Sequence, residues 1–421
     1  MRHRAVLLFT ALLAVPALAQ LPHPHPGGPV DPPRTQGGSS GGGFPSIGLS
    51  LSLGGKKFKE PPLTGPALQM QDEPVADYVP GEVLFFTKGN PAQISKIART
   101  ARLTITSTEA LDELGVFMVL ARIAPGDTVE AATARLAGQG GVEWAQPNHQ
   151  FQVLAGSSSR DKGLALHKLL IGPKVRVTGT IVLIDSAVDL SNSALKGAAI
   201  QQRLFGIDAT PSPHGTAIAE ILVGTGPFSG VASGATIVSL AAFAPASEKS
   251  WLSQTRSLAL AMNAGIKLRP QVVNLSFGAA RDDEALRRLL ARFETEGTCV
   301  VAAAGNGKGG PVLFPARLGN SIAVTAIDGK KRAYAYASQG PEIDLAAWGV
   351  DMNAAVPGGR RAVSGTSFAT AVVSGALLRF RGCNGGRDPA GMRGGLAALA
   401  EDLGPKGRDP VFGAGLFRLG K

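Results

Sequence analysis

A chain of 421 residues is too long for one ordinary domain, and its 44% apolar content is enough to bury a sizeable core, so two folded units are expected. The net charge of +11 is scattered, and its densest group, Lys56, Lys57 and Lys59, lies in the probable linker, so a weak attraction to acidic surfaces is expected and nucleic acid is not an expected partner. Only 5% of residues are aromatic, while the 55 glycines and 29 prolines are densest toward the N-terminus.

Residues 1–19 carry a basic start (Arg2, Arg4), an apolar run from Ala5 to Val15, and Ala17-Leu18-Ala19 before Gln20. That order of features predicts a cleavable signal peptide and an exported product, extracellular or periplasmic, whose charge falls to +9 once the two arginines leave. The alternative, a retained membrane anchor, is poorly served by so short a run. No later stretch is long and apolar enough to span, so no membrane partner is expected.

Residues 20–78 are rich in Pro, Gly and Ser, for example Gly41-Gly42-Gly43, and offer little to bury against their ordering entropy. They read as a flexible leader, in which His23 and His25 make a poor metal site.

Residues 79–152 have the rhythm of a small α+β unit. Val83–Phe86 predicts a strand, and Ile94, Ile97, Ala98 and Ala101 fall at helical spacing. Leu103–Ser107 and Val116–Ile123 predict a strand pair, Asp127 with Glu130 resembles a capping box opening a helix through Leu136, and Val142–Gln146 predicts a closing strand. The order β-α-β-β-α-β is that of a ferredoxin-like unit.

Residues 153–421 alternate short apolar runs with amphipathic stretches. The predicted strands are Ile181–Ile184, Thr236–Leu240, Val272–Leu275, Cys299–Ala303 and Ile322–Ala326. Leu258, Ala261 and Met262 mark one helix, and Leu286, Leu289, Leu290 and Phe293 mark another. Strands apolar throughout are covered on both faces, which implies a doubly wound, mainly parallel α/β sheet with its ligands beyond the carboxyl ends of the strands. The chain's two cysteines, Cys299 and Cys383, fit either a disulfide, which export permits, or two separate buried thiols; no Cys/His cluster suggests a metal.

Three residues of this unit carry reactive groups in suggestive places. Asp185 closes the run Ile181–Ile184 at a strand's carboxyl edge, where an aspartate also serves simply to cap a turn. His214, in Pro213-His214-Gly215-Thr216-Ala217, stands just before the helical run Ala217–Leu222; the positive end of a helix dipole disfavours imidazolium and leaves the ring available as a base, although a surface histidine near a turn explains it too. Ser367 lies in Ser364-Gly365-Thr366-Ser367-Phe368-Ala369-Thr370-Ala371, a glycine turn leading into an apolar helix. Such a place offers unpaired backbone N–H groups to an oxyanion, or to an ordinary N-cap serine.

Taken together, Ile184-Asp185-Ser186, His214-Gly215-Thr216 and Gly365-Thr366-Ser367-Phe368-Ala369 resemble the three active-site signatures of the subtilisin-like serine proteases, in their Asp, His, Ser order. The resemblance implies a catalytic triad of Asp185, His214 and Ser367. It implies an oxyanion-hole amide on Asn306, a substrate-binding strand at Ser276, Phe277 and Gly278, and a specificity-pocket wall from Ala303, Ala304 and Gly305. It implies protein or peptide substrates and a monomeric enzyme that cleaves through an acyl-enzyme. Residues 79–152, ending Val142-Glu143-Trp144-Ala145-Gln146-Pro147-Asn148, resemble this family's inhibitory propeptide, which implies an intramolecular inhibitor removed by self-cleavage between about Gln150 and Ser159. No cofactor is required by that chemistry. Calcium enters only as a structural ion without an assigned site, since the loop Gly224–Gly230 offers no carboxylate, and Ala187 stands where the family often has glycine. The rival reading is a catalytically inactive subtilisin-fold protein that binds peptides or inhibits proteases; a pure binder has no chemical need for the whole set. An esterase would want Gly-x-Ser-x-Gly, where this chain has Ala369 in the last place.

Overall fold

The structure, a computed structural model, describes residues 62–68, 76–154, 156, 158, 176–206, 209–226, 229–247, 250–379 and 389–417, all within one compact unit, Phe58–Lys421. The predicted signal peptide, most of the leader and Cys383 lie outside the described residues.

The first unit runs β1 (Tyr78–Thr87), α1 (Pro91–Thr100), β2 (Leu103–Leu111), β3 (Val116–Ile123), α2 (Val129–Ala137) and β4 (Trp144–Val153). Its strands pair antiparallel in the order β4-β1-β3-β2, the expected ferredoxin-like arrangement. Alternation along β1 divides the labour between faces. Val83 and Phe85 join α1 and α2 in a small core of the unit's own, while Leu84 and Phe86 belong to the core shared with the second unit. Helix α1 opens on a full capping box, Asn90 with Gln93. The box expected at Asp127 and Glu130 does not form. Thr128 is the cap, accepting from the Ala131 N–H at 3.2 Å, because Asp127 is drawn into accepting from Arg135 and from the Thr128 N–H.

The second unit runs β5 (Thr180–Ser186), β6 (Ala199–Leu204), α3 (Pro213–Val223), β7 (Thr236–Ser247), β8 (Ser250–Gln254), α4 (Thr255–Ile266), β9 (Val272–Leu275), β10 (Phe277–Gly278), α5 (Glu284–Thr295), β11 (Cys299–Ala303), β12 (Ile322–Ile327), β13 (Ile343–Trp348), the hairpin β14 (Met352–Val356) and β15 (Gly359–Val363), α6 (Thr366–Arg379), α7 (Pro389–Ala398), β16 (Ala400–Glu401) and β17 (Leu416–Phe417). Strands β6-β7-β5-β9-β11-β12-β13-β17 pair parallel in that order. Every residue of β9, β11 and β12 is buried, as a sheet covered on both faces requires. Cys299, buried at the start of β11, is disulfide-bonded. No helix among the described residues is long and apolar enough to cross a membrane.

The two units are joined through β4. Its end pairs antiparallel with β8 on one side (Gln150↔Gln254, Phe151↔Ser253, Gln152↔Leu252) and with β10 on the other (Gln152↔Gly278, Val153↔Phe277). Farther back, β4 sits on the amino ends of α4 and α5. Helix α4 has no side-chain cap of its own, and its Arg256 N–H donates to Asn148 Oδ1 at 3.2 Å. The Ala285 N–H at the start of α5 donates to Gln146 Oε1 at 3.1 Å, and Asp283, the cap of that helix, accepts from Gln146 Nε2 (2.8 Å) and Thr255 Oγ1 (2.6 Å). These are the N–H groups a helix start leaves unpaired, satisfied from another unit. Around them Glu109, Asp112, Glu113 and Asp77 of the first unit pair with Arg256, Lys267, Arg292 and Arg281 of the second.

A short piece of the leader also docks. The Thr64 N–H donates to the Arg360 carbonyl (3.0 Å) and the Leu68 N–H to the Ala362 carbonyl (2.9 Å), so residues 64–68 lie along β15; the Leu68 carbonyl accepts from the Ser158 N–H at 3.3 Å.

Candidate active site

Parallel sheets place ligands beyond the carboxyl ends of their strands, and the reactive residues gather there. Asp185, at the end of β5, is fully buried. Its Oδ1 accepts from the Ser186 N–H at 2.7 Å and from the Ser186 hydroxyl at 2.9 Å, which fixes the carboxylate, and lies 2.8 Å from His214 Nδ1. His214 sits in the first turn of α3, whose cap is Ser212. The helix can approach β5 this closely because Gly215 has no side chain: a Cβ there would lie 2.3 Å from the Ser186 carbonyl oxygen. With Nδ1–H donated to a carboxylate, the neutral ring presents Nε2 as an acceptor. Nε2 is buried and has no hydrogen-bond partner among the described residues.

Ser367 is the second residue of α6, and the following Phe368 packs its ring 5.5 Å from that of His214, which brings the amino end of α6 against the imidazole. The Ser367 hydroxyl is not bonded to His214 Nε2. It donates instead to the carbonyl of Leu154 at 2.5 Å and is 3.1 Å from that of Ser276. The reason is occupancy: the end of β4 and the residues after it run through the cleft, and the Leu154 carbonyl takes the hydroxyl.

Asn306 follows β11. Its Oδ1 accepts from the Thr366 N–H and the Thr366 hydroxyl, both at 3.2 Å, which turns its amide nitrogen the other way. That Nδ2 is buried without a partner among the described residues, and Asn306 lines the same cavity as Leu154. An unpaired buried amide costs stability, so its retention points to use. Gly278 lines the cavity, with Phe277 and Ser276 buried just before it, Ala303 and Ala304 are buried at the end of β11, and Gly305 turns the chain toward Asn306 with φ +113°.

Comparison with known proteins fits this geometry. Residues 180–415, more than half of the chain, match the subtilase family. The chain belongs to the subtilase family. Residues 65–148 match the fervidolysin N-terminal prodomain, so this subtilase carries a prodomain of that type. Subtilisin E of Bacillus subtilis (strain 168) is 29% identical over 275 residues, covering 62% of this chain and 69% of that protein. Subtilisin Savinase of Lederbergia lenta is 30% identical over 188 residues, covering 44% of this chain and 67% of that protein. The crystal structure of fervidolysin from Fervidobacterium pennivorans, described as a keratinolytic enzyme related to subtilisin, superposes with a TM-score of 0.68 at 19% identity. That superposition covers 87% of this subtilase but only 64% of the fervidolysin chain, and it speaks to the fold.

Sequence reading missed several contributors in this subtilase. Thr366 orients Asn306, and Ser364 receives the Gly156 N–H on its carbonyl at 2.8 Å. Both lie in the octet around Ser367, but a backbone carbonyl leaves no mark in a sequence. Leu313 and Phe314, in the segment after Asn306, reach the cleft through a loop without periodicity. Among the described residues no group of three or more His, Cys, Asp or Glu is placed to hold a metal ion, so no residues are assigned to calcium.

Proposed function

We propose that the protein is a secreted serine endopeptidase, made as a precursor that processes itself, in which Asp185, His214 and Ser367 form the triad and Asn306 supplies an oxyanion donor. The observation that carries this reading is the sealed Asp185–His214 pair, 2.8 Å apart, against the helix turn that bears Ser367. Asp185 holds the ring in the tautomer with Nε2 free and stabilises the imidazolium once it forms. Ser367 attacks a peptide carbonyl as Nε2 takes the hydroxyl proton, and the same nitrogen returns that proton to the leaving amine. Water then repeats the sequence on the acyl-enzyme. Asn306 Nδ2, unpaired in the resting site, donates to the oxygen that gains charge; in subtilisin itself, loss of such a donor slows turnover by about 10²–10³, a magnitude known from that enzyme and not deduced from this site.

The substrate strand reading of Ser276, Phe277 and Gly278 is supported by the chain segment already paired there; the pocket-wall reading of Ala303, Ala304 and Gly305 rests on the family resemblance. Residues 1–19 act as the export signal, residues 20–78 as leader and residues 79–152 as intramolecular inhibitor of the catalytic unit 153–421; the covered cleft supports the inhibitory role. Protein and peptide chains are the substrates. No step is routed through calcium, which enters only as a structural ion.

The test is the secreted protein and its Ser367→Ala variant on casein, with phenylmethylsulfonyl fluoride titration. Cleavage that the reagent stops and the variant lacks is expected, with a loss of at least about 10⁴-fold. Binding of casein without cleavage by the wild type would overturn the reading in favour of an inactive binder.

A further inference from the structure

We propose that the outer edge of β15 is a peptide-docking surface in its own right, built to take leader residues 62–68 through a threonine and a leucine four positions apart, and that the docked leader holds the far side of the filled cleft. The proposal rests on the serine-protease reading above only for the onset of activity that reports the hold; the docking itself is measured without catalysis.

The hairpin β14–β15 is a two-stranded sheet, paired antiparallel through Asn353↔Ala362 and Ala355↔Arg360. No third strand lies beside β15 among the described residues. Such an edge presents backbone N–H and C=O groups that another chain segment can take up. Here the leader takes them. The Thr64 N–H and the Thr64 hydroxyl both donate to the Arg360 carbonyl, at 3.0 and 3.2 Å, and the Arg360 N–H donates back to Thr64 Oγ1 at 2.9 Å. Four residues on, the Leu68 N–H donates to the Ala362 carbonyl at 2.9 Å.

Both partners are shaped for this contact. A Cβ on Gly359 would lie 1.9 Å from Thr64 Oγ1, so the missing side chain is what lets the threonine close on the strand. Leu68 is buried and joins the core shared by the two units. The Arg360 guanidinium donates to Glu220 Oε1 at 2.7 Å and to Asn353 Oδ1 at 2.9 Å, contacts within the catalytic unit that fix this strand independently of the leader. On the leader's side, Pro62 and Pro66 have a fixed φ and no N–H to satisfy, so ordering the segment costs less conformational entropy.

The docked segment reaches the cleft through the Leu68 carbonyl, which accepts from the Ser158 N–H at 3.3 Å. Ser158 lies two residues beyond Gly156, whose N–H donates to the carbonyl of Ser364, the residue just after β15. β15 thus carries the leader along its edge and the cleft-filling chain at its end. Strands β8 and β10 hold the earlier part of that chain, Gln150–Val153, and the leader holds the part that follows.

The experiment uses the full-length precursor. In the uncut Ser367→Ala form, hydrogen exchange compares Leu68→Ala and Thr64→Val with the parent. Exchange across β15 and around Ser158 should rise about tenfold in Leu68→Ala and less in Thr64→Val, with α1 and α2 unchanged. A fluorescent peptide of residues 60–70 should bind the precursor that carries both leader substitutions, and should bind about tenfold more weakly when its own leucine is replaced by alanine. In the active form, the lag before casein is cleaved should shorten by about fivefold in Leu68→Ala. Unchanged exchange at both places, or a peptide that does not bind, overturns the docking surface. Exchange that rises while the lag stays the same overturns the hold on the cleft and with it the inference. A wild type that never acquires activity overturns the serine-protease reading instead, and the exchange and peptide measurements still decide the docking. Thr64→Val, which keeps the shape of the side chain, decides the exchange test even where Leu68→Ala folds poorly.

Discussion

The prodomain and the catalytic unit solve burial differently. In the catalytic unit β9, β11 and β12 are buried on both faces by the unit's own helices. In the prodomain only one face of the sheet is covered from within, by α1 and α2; Leu84, Phe86, Met118 and Leu120 on the other face find their partners in the catalytic unit. A sheet with one apolar face bare exposes the kind of patch that marks an interaction surface. The difference teaches that the prodomain is built as one half of an interface, whereas the catalytic unit could keep its core without it.

Adjacent phenylalanines give the sharpest way to break this comparison. Phe85 and Phe86 are both fully buried, Phe85 in the prodomain's own core and Phe86 in the shared one, stacked 4.1 Å from Trp144. Each truncation to alanine in the uncut Ser367→Ala precursor should cost about 3–5 kcal/mol. Hydrogen exchange should place the damage of Phe85→Ala in α1 and α2, and that of Phe86→Ala at the junction with α4 and α5. Equal exchange patterns would dissolve the distinction.

Inside the catalytic unit, Glu220 of α3 meets Arg360 of β15 through 2.7 and 3.1 Å contacts, and its Oε2 also accepts from the Ala355 N–H at 2.6 Å. Burial pushes the Glu220 carboxyl above the usual carboxylate range while Arg360 pulls it back. Glu220→Gln removes the carboxylate that the buried Arg360 guanidinium bonds, so a loss of about 3 kcal/mol is expected in denaturant unfolding of the catalytic unit. A loss confined to the precursor would show that the catalytic unit depends on its prodomain after all.

A smaller effect belongs to the borrowed helix cap. Asn148→Ala removes the acceptor for the Arg256 N–H, and prodomain affinity should fall by about 1 kcal/mol, roughly fivefold in inhibition constant. An unchanged constant would mean that water caps α4 equally well.

The smallest effect is a pH dependence within the prodomain. The hydrogen bond from Arg135 holds the Asp127 carboxyl below its ordinary value. A carboxyl whose folded value is depressed adds stability that is present above the unfolded value and lost as the pH falls through the folded one. The acid limb of prodomain unfolding below about pH 4 should therefore flatten slightly in Asp127→Asn, as followed by circular dichroism across an acid titration.

Much of this was legible in the sequence where burial is complete. Val272–Leu275 and Cys299–Ala303 form strands with the expected bounds because both faces of each are covered, and a run of apolar residues leaves no other choice. The closing strand of the prodomain, expected to end at Gln146, runs on to Val153, since Gln150–Val153 draws its partners from β8 and β10, far along the chain. Strand β7 likewise continues past Leu240, where its end turns from the parallel sheet to pair with β8. The hairpin β14–β15 escaped notice because neither strand carries a periodic signal. At the site, residue type and place marked Asp185, His214 and Ser367 as candidates and the family resemblance added Asn306, but the segment that occupies the cleft could be located only to about ten residues, because register is a property of pairing.

The few leader residues lying along β15 have a mechanical consequence. They touch, through the Leu68 carbonyl, the N–H of Ser158, just beyond the segment that fills the cleft. A stretch of leader more than eighty residues upstream thus shares with Ser364, whose hydroxyl is 2.8 Å from that of Ser158, the task of pinning down the far side of the filled cleft.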